Sequence, residues 1–334
     1  MGKRFFRRGL YCRFVVNRGY VPFFKKLIKS LKDGIDKEIP LSVYENGLAM
    51  RFFDPSRVMM ADIKLTKYCF DEFELMPIDS RTKFADLPKT VYFNANDVLY
   101  ALEGAKNSDA VFEVKAKFKS RKECETVVVR KPSKCPKCGA PTINNQLPPN
   151  KRGKDGNSYK CPKCGWRGKV RRRKKKVKVE RTFIDEPANI IVSVGDEKYD
   201  FNLLDYEYDD VPEPVFDFNA KAVVALKEFR KKLTKLAKRY DDVTLIATDD
   251  GLTVVGENDN SKGKLILSRA SDMLLSIESY KEQKAKYNLK NLLCILPDLG
   301  DVATIQFKTD MPLKTRIHAN IDGQIDFYLA PLIV

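Results

Sequence analysis

The stretch Gly47-Leu-Ala-Met-Arg-Phe-Phe-Asp54-Pro-Ser-Arg57-Val58 decides the fold of this chain. It begins at the turn sequence Glu45-Asn46-Gly47, which predicts a hairpin with a strand on either side. Asp54-Pro55-Ser56 must break the second strand, because proline cannot donate a ladder hydrogen bond. The apolar residues 58–65 then resume the sheet. The stretch therefore predicts a strand, a sharp break and a further strand.

The second half of the chain repeats this pattern. Thr248-Asp-Asp-Gly251-Leu252 resembles Tyr44-Glu-Asn-Gly47-Leu48, and each turn follows a basic amphipathic helix and a strand. The periodicity predicts the first helix over residues 21–35 and the second over 221–240, the latter preceded by a strand at 215–218. We therefore predict a tandem duplication of one α+β unit, each copy running strand, helix, several strands, helix, strands.

Composition narrows the classes of function. The chain has 334 residues, 43% of them hydrophobic, with a formal net charge of +17 and a pI of about 9.4. A protein this basic usually binds a polyanion, and nucleic acid is favoured over the alternative, an anionic membrane surface. No apolar run approaches the roughly 20 residues that span a bilayer, and the N-terminal stretch lacks signal-peptide features. We expect a cytoplasmic, DNA-associated protein, in the host cytoplasm if the source is a virus.

Two identical pentapeptides, Cys135-Pro-Lys-Cys138-Gly139 and Cys161-Pro-Lys-Cys164-Gly165, predict a metal site. Each can direct two thiolates at one ion, and two such turns make the closed tetrahedral four-thiolate site of structural zinc. Two disulfides or a redox pair are the alternatives. The remaining cysteines are scattered, as is usual for small buried side chains in a reducing compartment. They are Cys12, Cys69, Cys124 and Cys294.

The cysteine motifs lie in residues 120–187, a region rich in Lys, Arg, Gly and Pro that we interpret as an insertion on a two-stranded stalk. The basic run Arg171, Arg172 and Arg173, continued by three lysines, follows the second motif. Together with Trp166 it could contact phosphates and stack on a base. A solubilising or targeting role for this run carries nearly equal weight.

Four motifs resemble the proliferating cell nuclear antigen (PCNA) family of DNA sliding clamps. The first is Gly47 to Val58, whose Asp-Pro-Ser-Arg-Val form is similar to the archaeal branch. The others are Lys198-Tyr-Asp-Phe-Asn-Leu-Leu-Asp205, Asp310-Met-Pro-Leu-Lys314 and Ile325-Asp-Phe-Tyr-Leu-Ala-Pro331. The resemblance covers nearly all of the chain outside the insertion, and this family does not normally carry such a module.

The resemblance implies an architecture. It implies a first clamp domain at 1–119 and 188–205, interrupted by the insertion at 120–187. A connector at 206–214 would lead to a second clamp domain at 215–334. Three subunits would close head to tail into a ring with sheets outside and helices lining the hole. The strand at 198–204 would pair with 264–269 of the neighbour, and the ring would be a homotrimer or a heterotrimer.

The resemblance also implies binding sites. Inward-facing lysines would track the phosphates of double-stranded DNA without reading its bases. The candidates are Lys25, Lys29, Lys32, Lys106, Lys227, Lys231, Lys235 and Lys238. A pocket beneath the connector would capture short peptide motifs of polymerases, ligases, nucleases or a clamp loader. Its candidates are Phe53, Arg57, Met60, Pro312, Tyr328, Ala330, Pro331 and Leu332. The alternative for Phe53 and Met60 is that they belong to the core.

Three functions compete at this point. The first is a processivity clamp, and the second is a zinc-ribbon transcription or nucleic-acid factor on a clamp fold that does not encircle DNA. The third is a metal-dependent nuclease using Asp209, Asp210, Glu213 and Asp217, which is weak because these acids fall in the connector region. His318 is the single histidine, and no pairing of a nucleophile with a base is visible. We therefore predict that the chain is not an enzyme and that zinc is its one cofactor.

Overall fold

The computed structural model of the chain describes residues 6–77, 90–105, 107–129, 137–138, 140, 158–160, 163–164, 167–169, 173–204 and 211–332. The chain divides into two compact units. One contains Phe6–Lys119 and Phe183–Val334, and the other contains Met1–Phe5 and Ser120–Thr182. We call the first unit the body.

The first half of the chain alternates strands with two short helices. Its elements are β1 Phe6–Val16, α1 Val21–Gly34, β2 Glu38–Tyr44, β3 Gly47–Phe53, β4 Met59–Thr66, a 3₁₀ turn Lys67–Cys69, β5 Glu72–Pro77, β6 Thr90–Asn94, α2 Ala95–Ala101, β7 Ala110–Val129, β8 Ser158–Lys160, β9 Arg167–Lys169, β10 Arg173–Val194 and β11 Glu197–Asn202. The long strands β7 and β10 lie side by side in one sheet.

The second half follows the same order. Its elements are β12 Ala220–Ala225, α3 Leu226–Leu236, β13 Asp242–Thr248, β14 Gly251–Asn258, β15 Ser261–Ser268, β16 Leu274–Ser279, β17 Gln283–Asn288, α4 Leu289–Cys294, β18 Val302–Phe307, β19 Leu313–His318 and β20 Gly323–Leu329. Apart from β8, β9 and the 3₁₀ turn, each element of the first half has a counterpart here.

The predicted start of the second copy was wrong. Residues 215–218 are not a strand, and 221–225, predicted as the first turn of a helix, form most of β12. Ala222 and Val224 are buried between less buried neighbours, a period of two residues. Because β12 pairs with both β16 and β18, its backbone hydrogen bonds are satisfied in the sheet. The helix therefore begins only at Leu226.

Sheet topology shows the duplication directly. The first copy contains the order β11-β10-β7-β1-β5, and the second contains β20-β19-β18-β12-β16. The remaining strands lie in the orders β4-β3-β2-β6 and β15-β14-β13-β17. Antiparallel pairing of β4 with β20 joins the two copies into one nine-stranded sheet. We call this pairing the internal joint.

The turn glycines of the two copies are equivalent. A Cβ on Gly47 would lie 2.0 Å from the carbonyl oxygen of Leu65, and one on Gly251 would lie 2.3 Å from that of Leu267. Neither position can hold a side chain, because the adjacent strand passes too close. The short helices also match, since Asn94 and Asn288 accept hydrogen bonds from Asn96 N–H and Asn291 N–H. These caps satisfy amide groups that a helix start leaves unpaired.

The four helices pack against one another in the order α2, α1, α4, α3. Their apolar faces are buried, through Phe24, Leu27 and Leu31 of α1 and through Phe229 and Leu233 of α3. The C-terminal end of α1 meets α4 closely, because a Cβ on residue 34, a glycine, would lie 3.2 Å from Cβ of Cys294. The helices therefore form one layer, whose other side is free to carry charge.

Candidate functional site

The break after β3 is a carboxylate-capped turn. Asp54 is buried, and its carboxylate accepts hydrogen bonds from the backbone N–H groups of Ser56 and Met59 and from the Ser56 hydroxyl. Arg57 follows with a φ of 57°, in the left-handed region, and is exposed. An aspartate can satisfy these amides while the chain reverses. The turn thereby fixes the register of β3 on β4 beside the candidate peptide pocket.

Three of the predicted peptide-binding residues form one row across the sheet, which we call the apolar row. Phe53 of β3 pairs with Met60 of β4, and Met60 pairs with Tyr328 of β20. Residues directly opposite one another project from the same face of a sheet. Phe53 is 40% exposed, whereas Met60 and Tyr328 are buried. The structure brings the three together, with Phe53 as the accessible end.

A row of charged residues, the charged row, runs beside the apolar row on the same face. Arg51 of β3 pairs with Asp62, Asp62 pairs with Asp326, and Asp326 pairs with Arg316. Both aspartates are buried, at 1% and 0% exposure. Arg51 Nε lies 2.9 Å from Asp62 Oδ1, and Arg316 Nε lies 2.7 Å from Asp326 Oδ1. Two buried carboxylates thus meet at the internal joint, and a guanidinium neutralises each.

The environment of Asp326 favours its ionised form. Burial by itself would raise the pKa of this carboxyl, but hydrogen bonds from Arg316 and from Lys314, at 2.8 Å, outweigh it and the pKa is lowered. Lys314 also lies 5.4 Å from the ring centroid of Tyr328, a cation–π distance. Burial, assisted by Asp326 and Asp62, raises the pKa of the Tyr328 hydroxyl. Lys314 therefore links the charged row to the apolar row.

The connector lies against both rows. Arg51 Nη1 donates to Val211 O at 3.5 Å, and Glu213 accepts from Lys64 Nζ at 3.0 Å and lies 3.5 Å from Arg51 Nη2. The hydrogen bond from Lys64 lowers the pKa of Glu213. Beyond it, the ring of Phe216 lies 6.1 Å from that of Tyr328. Sequence reasoning missed Phe216, because it assigned residues 215–218 to a strand.

The other predicted peptide-site residues flank the apolar row. Pro312 is half-buried and precedes Leu313, which pairs with Leu329. Ala330 N–H donates to Val58 O at 2.9 Å, and Leu332 N–H donates to Lys286 O at 2.8 Å. Ala330, Pro331 and Leu332 are half-buried. The end of the described chain is therefore tied down beside the row by backbone hydrogen bonds.

Helix α1 presents lysines on the side opposite its buried face. Lys29 is exposed, while Lys25 and Lys32 are half-buried. Lys25 Nζ lies 3.5 Å from Leu102 O, and Lys32 Nζ lies 4.0 Å from Asp33. Lys26, which the sequence analysis did not select, is also exposed and lies 3.9 Å from Asp298. Lys29 is thus the predicted lysine of this helix best placed to meet a phosphate.

Helix α3 carries the densest positive charge. Lys231, Lys232 and Lys235 are exposed and make no ion pair within the described residues. Lys227 is neutralised by Asp301 at 2.8 Å, and this hydrogen bond raises the pKa of Lys227. Lys238 is exposed but lies beyond the end of the helix at Leu236. We call the exposed side of the helix layer the basic face.

A groove of about 480 Å³ opens in the basic face between α1 and α4, where the two copies meet. Its basic lining residues are Lys26, Lys29, Arg230 and Lys290, and its acidic ones are Asp33 and Asp298. Arg230 is held by a hydrogen bond from its Nε to Leu296 O at 2.9 Å. Spacing within one helix could not have revealed this cluster, because three helices contribute to it.

The structure describes only part of the cysteine-rich region. Cys138 and Cys164 lie in turns and are exposed, whereas Cys135 and Cys161 lie outside the described residues. The second cysteine pair falls in the loop of the β8–β9 hairpin, in which Lys160 pairs with Arg167. The described part of the chain holds no cluster of three metal-binding side chains, but it includes only two of these four cysteines. The predicted zinc site therefore stays a prediction.

Several other predicted site residues also lie outside the part of the chain that the structure describes. Lys106, Arg171 and Arg172 do so, as does the side chain of Arg173 at the start of β10. Asp209 and Asp210 are not described either, whereas Glu213 forms the ion pairs given above and Asp217 is exposed. His318 Nε2 lies 2.7 Å from the Thr304 hydroxyl.

Three of the other cysteines can be assessed. Cys12 is buried, and Cys69 and Cys294 are half-buried. Burial raises the pKa of all three thiols. They therefore resemble small buried side chains more than reactive thiols. No helix among the described residues is both long enough and apolar enough to cross a bilayer.

Comparisons with known proteins point to one group. The chain is 23% identical to the DNA polymerase sliding clamp of Pyrococcus abyssi over 312 residues, which cover 93% of this chain and 94% of that protein. PCNA from Thermococcus kodakaraensis superposes with a TM-score of 0.63 at 19% identity, covering 96% of this chain and 100% of that chain. The PCNA2–PCNA3 complex from Sulfolobus tokodaii matches with a TM-score of 0.59, 19% identity, and coverage of 96% and 98%. No protein-family model matches. The predicted α+β clamp fold is confirmed.

Proposed function

Because the chain is a relative of the DNA sliding clamps, in sequence along nearly its whole length and in fold, we propose that it is a sliding-clamp subunit. As such it encircles duplex DNA without enzymatic activity of its own and tethers replication or repair enzymes to it. The basic face is the observation that carries this proposal. Its helices place unpaired lysines on one side of a single layer, while their apolar sides are buried.

The basic face suits a ligand that must slide. Exposed lysines such as Lys29, Lys231 and Lys235 attract phosphates without reading base edges, so binding depends on salt and not on sequence. The lysines lie on the exposed side of helices that pack side by side in one layer. Such a layer meets the phosphates of the duplex and does not place a single helix in one of its grooves. A ring that is closed around the duplex can then use weak contacts, because topology prevents its escape.

On the other side of the sheet, the apolar row is the proposed docking site for partner peptides. Phe53 offers an accessible aromatic ring, and Phe216 and Tyr328 form an aromatic pair next to it. A short peptide with an aromatic side chain fits such a surface, because aromatic anchors carry much of the energy of peptide binding. We therefore propose that polymerases, ligases, nucleases or a clamp loader dock here.

Within the inserted unit, we propose that Cys135, Cys138, Cys161 and Cys164 bind one structural zinc ion. The donor set of four thiolates suits zinc, and the β8–β9 hairpin brackets the second cysteine pair as a zinc knuckle requires. The ion would stabilise the fold of this unit and leave no coordination position open for catalysis. Metal analysis of the purified chain tests this, with about one zinc per subunit expected and none in a variant with all four cysteines changed to serine.

A second candidate function is a zinc-ribbon factor that binds DNA without encircling it. The observation in its favour is the separate compact unit that contains Ser120–Thr182. The two candidates differ in topology, because a ring is retained on a closed circle but slides off a free end.

The deciding experiment compares DNA retention on circular and linear duplexes. The protein is loaded on nicked circular DNA, the salt is raised, and half of each sample is cut once with a restriction enzyme. A clamp stays on the circle and leaves the linear DNA, whereas a non-encircling factor responds to salt alone. The variant Lys231→Glu with Lys235→Glu should reduce loading, and Glu228→Gln on the same helix is the control. Equal loss from circle and linear DNA would overturn the clamp proposal.

A further inference from the structure

Positive charge is divided unevenly between the two compact units. The inserted unit, Met1–Phe5 with Ser120–Thr182, contains 23 of the 62 lysines and arginines but only 4 of the 45 aspartates and glutamates. Its formal net charge is therefore +19, whereas the net charge of the body is −2. The whole positive excess of the chain, +17, belongs to the inserted unit.

The body is nearly neutral although its helix layer is basic. Acidic residues offset the lysines, in part by direct pairing, as Asp301 does with Lys227 and Asp298 with Lys26. At 0.1 M salt, charges are screened over about 10 Å, so the basic face attracts phosphates only at close range. The inserted unit has few acidic residues to offset its charge. Its net charge therefore dominates the attraction of the whole chain for a polyanion.

The strands of the inserted unit place basic residues next to one another. The part of β10 that belongs to this unit, residues 173–182, contains six basic residues and one acidic residue. In the β8–β9 hairpin, Lys160 pairs directly with Arg167. Like charges at opposite positions of a sheet weaken its pairing. Both arrangements therefore have an electrostatic cost that a bound polyanion relieves.

We infer that the inserted unit is a nucleic-acid-binding module that contacts phosphates without reading bases and supplies most of the chain's electrostatic affinity for nucleic acid. A membrane surface is the less suitable polyanion. Segments that lie on membranes are typically helices with one apolar side, whereas the regular elements described in the inserted unit are strands. The inference goes beyond the proposed clamp function, because encirclement depends on the body.

The two units hold DNA by different means. Contacts between basic residues and phosphates release counterions, so the affinity of the inserted unit falls steeply as salt is raised. Retention by a closed ring does not depend on those contacts, because the ring cannot leave a circular duplex. Binding to a linear duplex therefore reports on the inserted unit, and retention on a circle reports on the body.

The test measures the affinity of the full-length chain for a short linear duplex and for a single strand of the same length, by fluorescence anisotropy over a range of salt concentrations. The form that binds the wild type more tightly identifies the ligand. The first variant neutralises four lysines of β10, through Lys174→Gln, Lys175→Gln, Lys176→Gln and Lys178→Gln. Because each phosphate contact contributes about 0.9 to the slope of log affinity against log salt for a duplex, we expect the slope to fall by about 3. The affinity near 0.15 M salt should fall by at least about 10-fold.

The matched control neutralises four lysines of the basic face, through Lys29→Gln, Lys231→Gln, Lys232→Gln and Lys235→Gln. It should weaken binding to the linear duplex by less than about 3-fold, because the body contributes little to long-range attraction. An equal loss of affinity in the two variants would overturn the inference, since the body would then supply as much affinity as the inserted unit.

A second variant of the inserted unit guards against misfolding of β10. It neutralises the β8–β9 hairpin, through Lys160→Gln, Arg167→Gln and Lys169→Gln, and should lower the same slope by about 2 to 3. Urea unfolding and metal content that match the wild type serve as folding controls. Folded variants that bind both nucleic acids like the wild type at every salt concentration would show that these basic residues only keep the chain soluble, which overturns the inference.

Two further outcomes separate this inference from the alternatives. Vesicles of phosphatidylcholine with phosphatidylserine that bind the wild type more tightly than either nucleic acid would overturn it in favour of a membrane surface. A wild-type chain that binds linear DNA through the inserted unit but is not retained on circular DNA would support the inference and overturn the clamp function instead.

Discussion

The internal joint differs in chemistry from β11 and β15, the strands through which the clamp resemblance implies that subunits meet. Where β4 meets β20, Asp62 faces Asp326, and both carboxylates are buried and held by guanidinium groups. On β11 and β15, by contrast, the charged residues such as Lys198 and Lys264 are exposed. Each carboxylate of the internal joint has its guanidinium on its own side of the joint, because Arg51 lies on β3 beside Asp62 and Arg316 lies on β19 beside Asp326. Separating exposed edges costs little electrostatically, which would suit the proposed ring when it admits DNA.

Within this contrast, we expect the largest loss of stability from Asp326→Ala. Removing this carboxylate leaves the largely buried Lys314 and the partly exposed Arg316 without their partner, and the loss of such charged hydrogen bonds costs about 1.5–3 kcal/mol. We expect the free energy of unfolding to fall by that amount in urea titrations followed by circular dichroism. The matched control is Asp200→Ala on the exposed edge, for which we expect a change below about 0.5 kcal/mol. Equal effects at the two sites would contradict the contrast.

We expect low pH to reduce the contribution of Asp326 to the free energy of unfolding. The folded-state pKa of Asp326 is lowered, so its contribution is fully present above the unfolded-state pKa of about 3.9 and is lost as the pH falls through the folded value. The difference in unfolding free energy between wild type and Asp326→Asn should therefore be constant near neutral pH. It should shrink below about pH 4. A difference that grows on acidification would show that the carboxylate is not held as its ion.

Gly263→Ala tests the same contrast at β15, the terminal strand of its sheet. The added methyl group would come within 2.8 Å of the Tyr240 ring, so the ring must shift, and overpacking of this kind costs about 1–3 kcal/mol. The same shift would disturb the edge strand β15, which the clamp resemblance places against a neighbouring subunit. We expect lower stability and weaker association together. Gly300→Ala, whose Cβ would lie 2.2 Å from His318 O, is the comparison that lowers stability far from this edge.

The smallest effect is expected at the connector. Lys64→Ala removes an exposed ion pair with Glu213, and such pairs contribute less than about 1 kcal/mol. Because Arg51 still contacts Val211 and Glu213, the unfolding free energy should hardly change. Peptide binding at the apolar row, measured by fluorescence anisotropy, is the more sensitive test. A fall in stability as large as that of Asp326→Ala would mean that the connector contributes as much to the free energy of unfolding as the buried pair.

Local patterns predicted much of this fold. Residues that are close together in the sequence determine the turns at Gly47 and Gly251 and the amphipathic face of α1. Sequence patterns are therefore sufficient to predict these features. Phe53 and Met60 were selected through the family resemblance, and the structure pairs them across β3 and β4. The strand at 220–225 was missed because a run of small and β-branched residues before a strong helix fits both periods, and only pairing with β16 and β18 resolves it.

Contacts between distant parts of the chain were beyond sequence reasoning. Phe216 meets Tyr328 although the two are far apart in the sequence, and Asp62 meets Asp326 only because β4 and β20 pair in one sheet. Nothing near either aspartate in the sequence marks it as buried. Lys227 was predicted to bind phosphate, yet Asp301 from another element neutralises it. Periodicity finds the exposed side of a helix, but it cannot tell which charges there are already paired.

The chain segment between Leu204 and Ala220 links the two copies covalently. The internal joint and a contact between subunits therefore respond differently to dilution. The internal joint is unimolecular, and a short tether gives its strands an effective concentration of the order of millimolar. A contact between the subunits of the proposed ring has no tether, so its occupancy falls as the protein is diluted. The two contacts would then separate at very different concentrations. Dilution alone would therefore open the proposed ring at the contacts between subunits and not within a subunit.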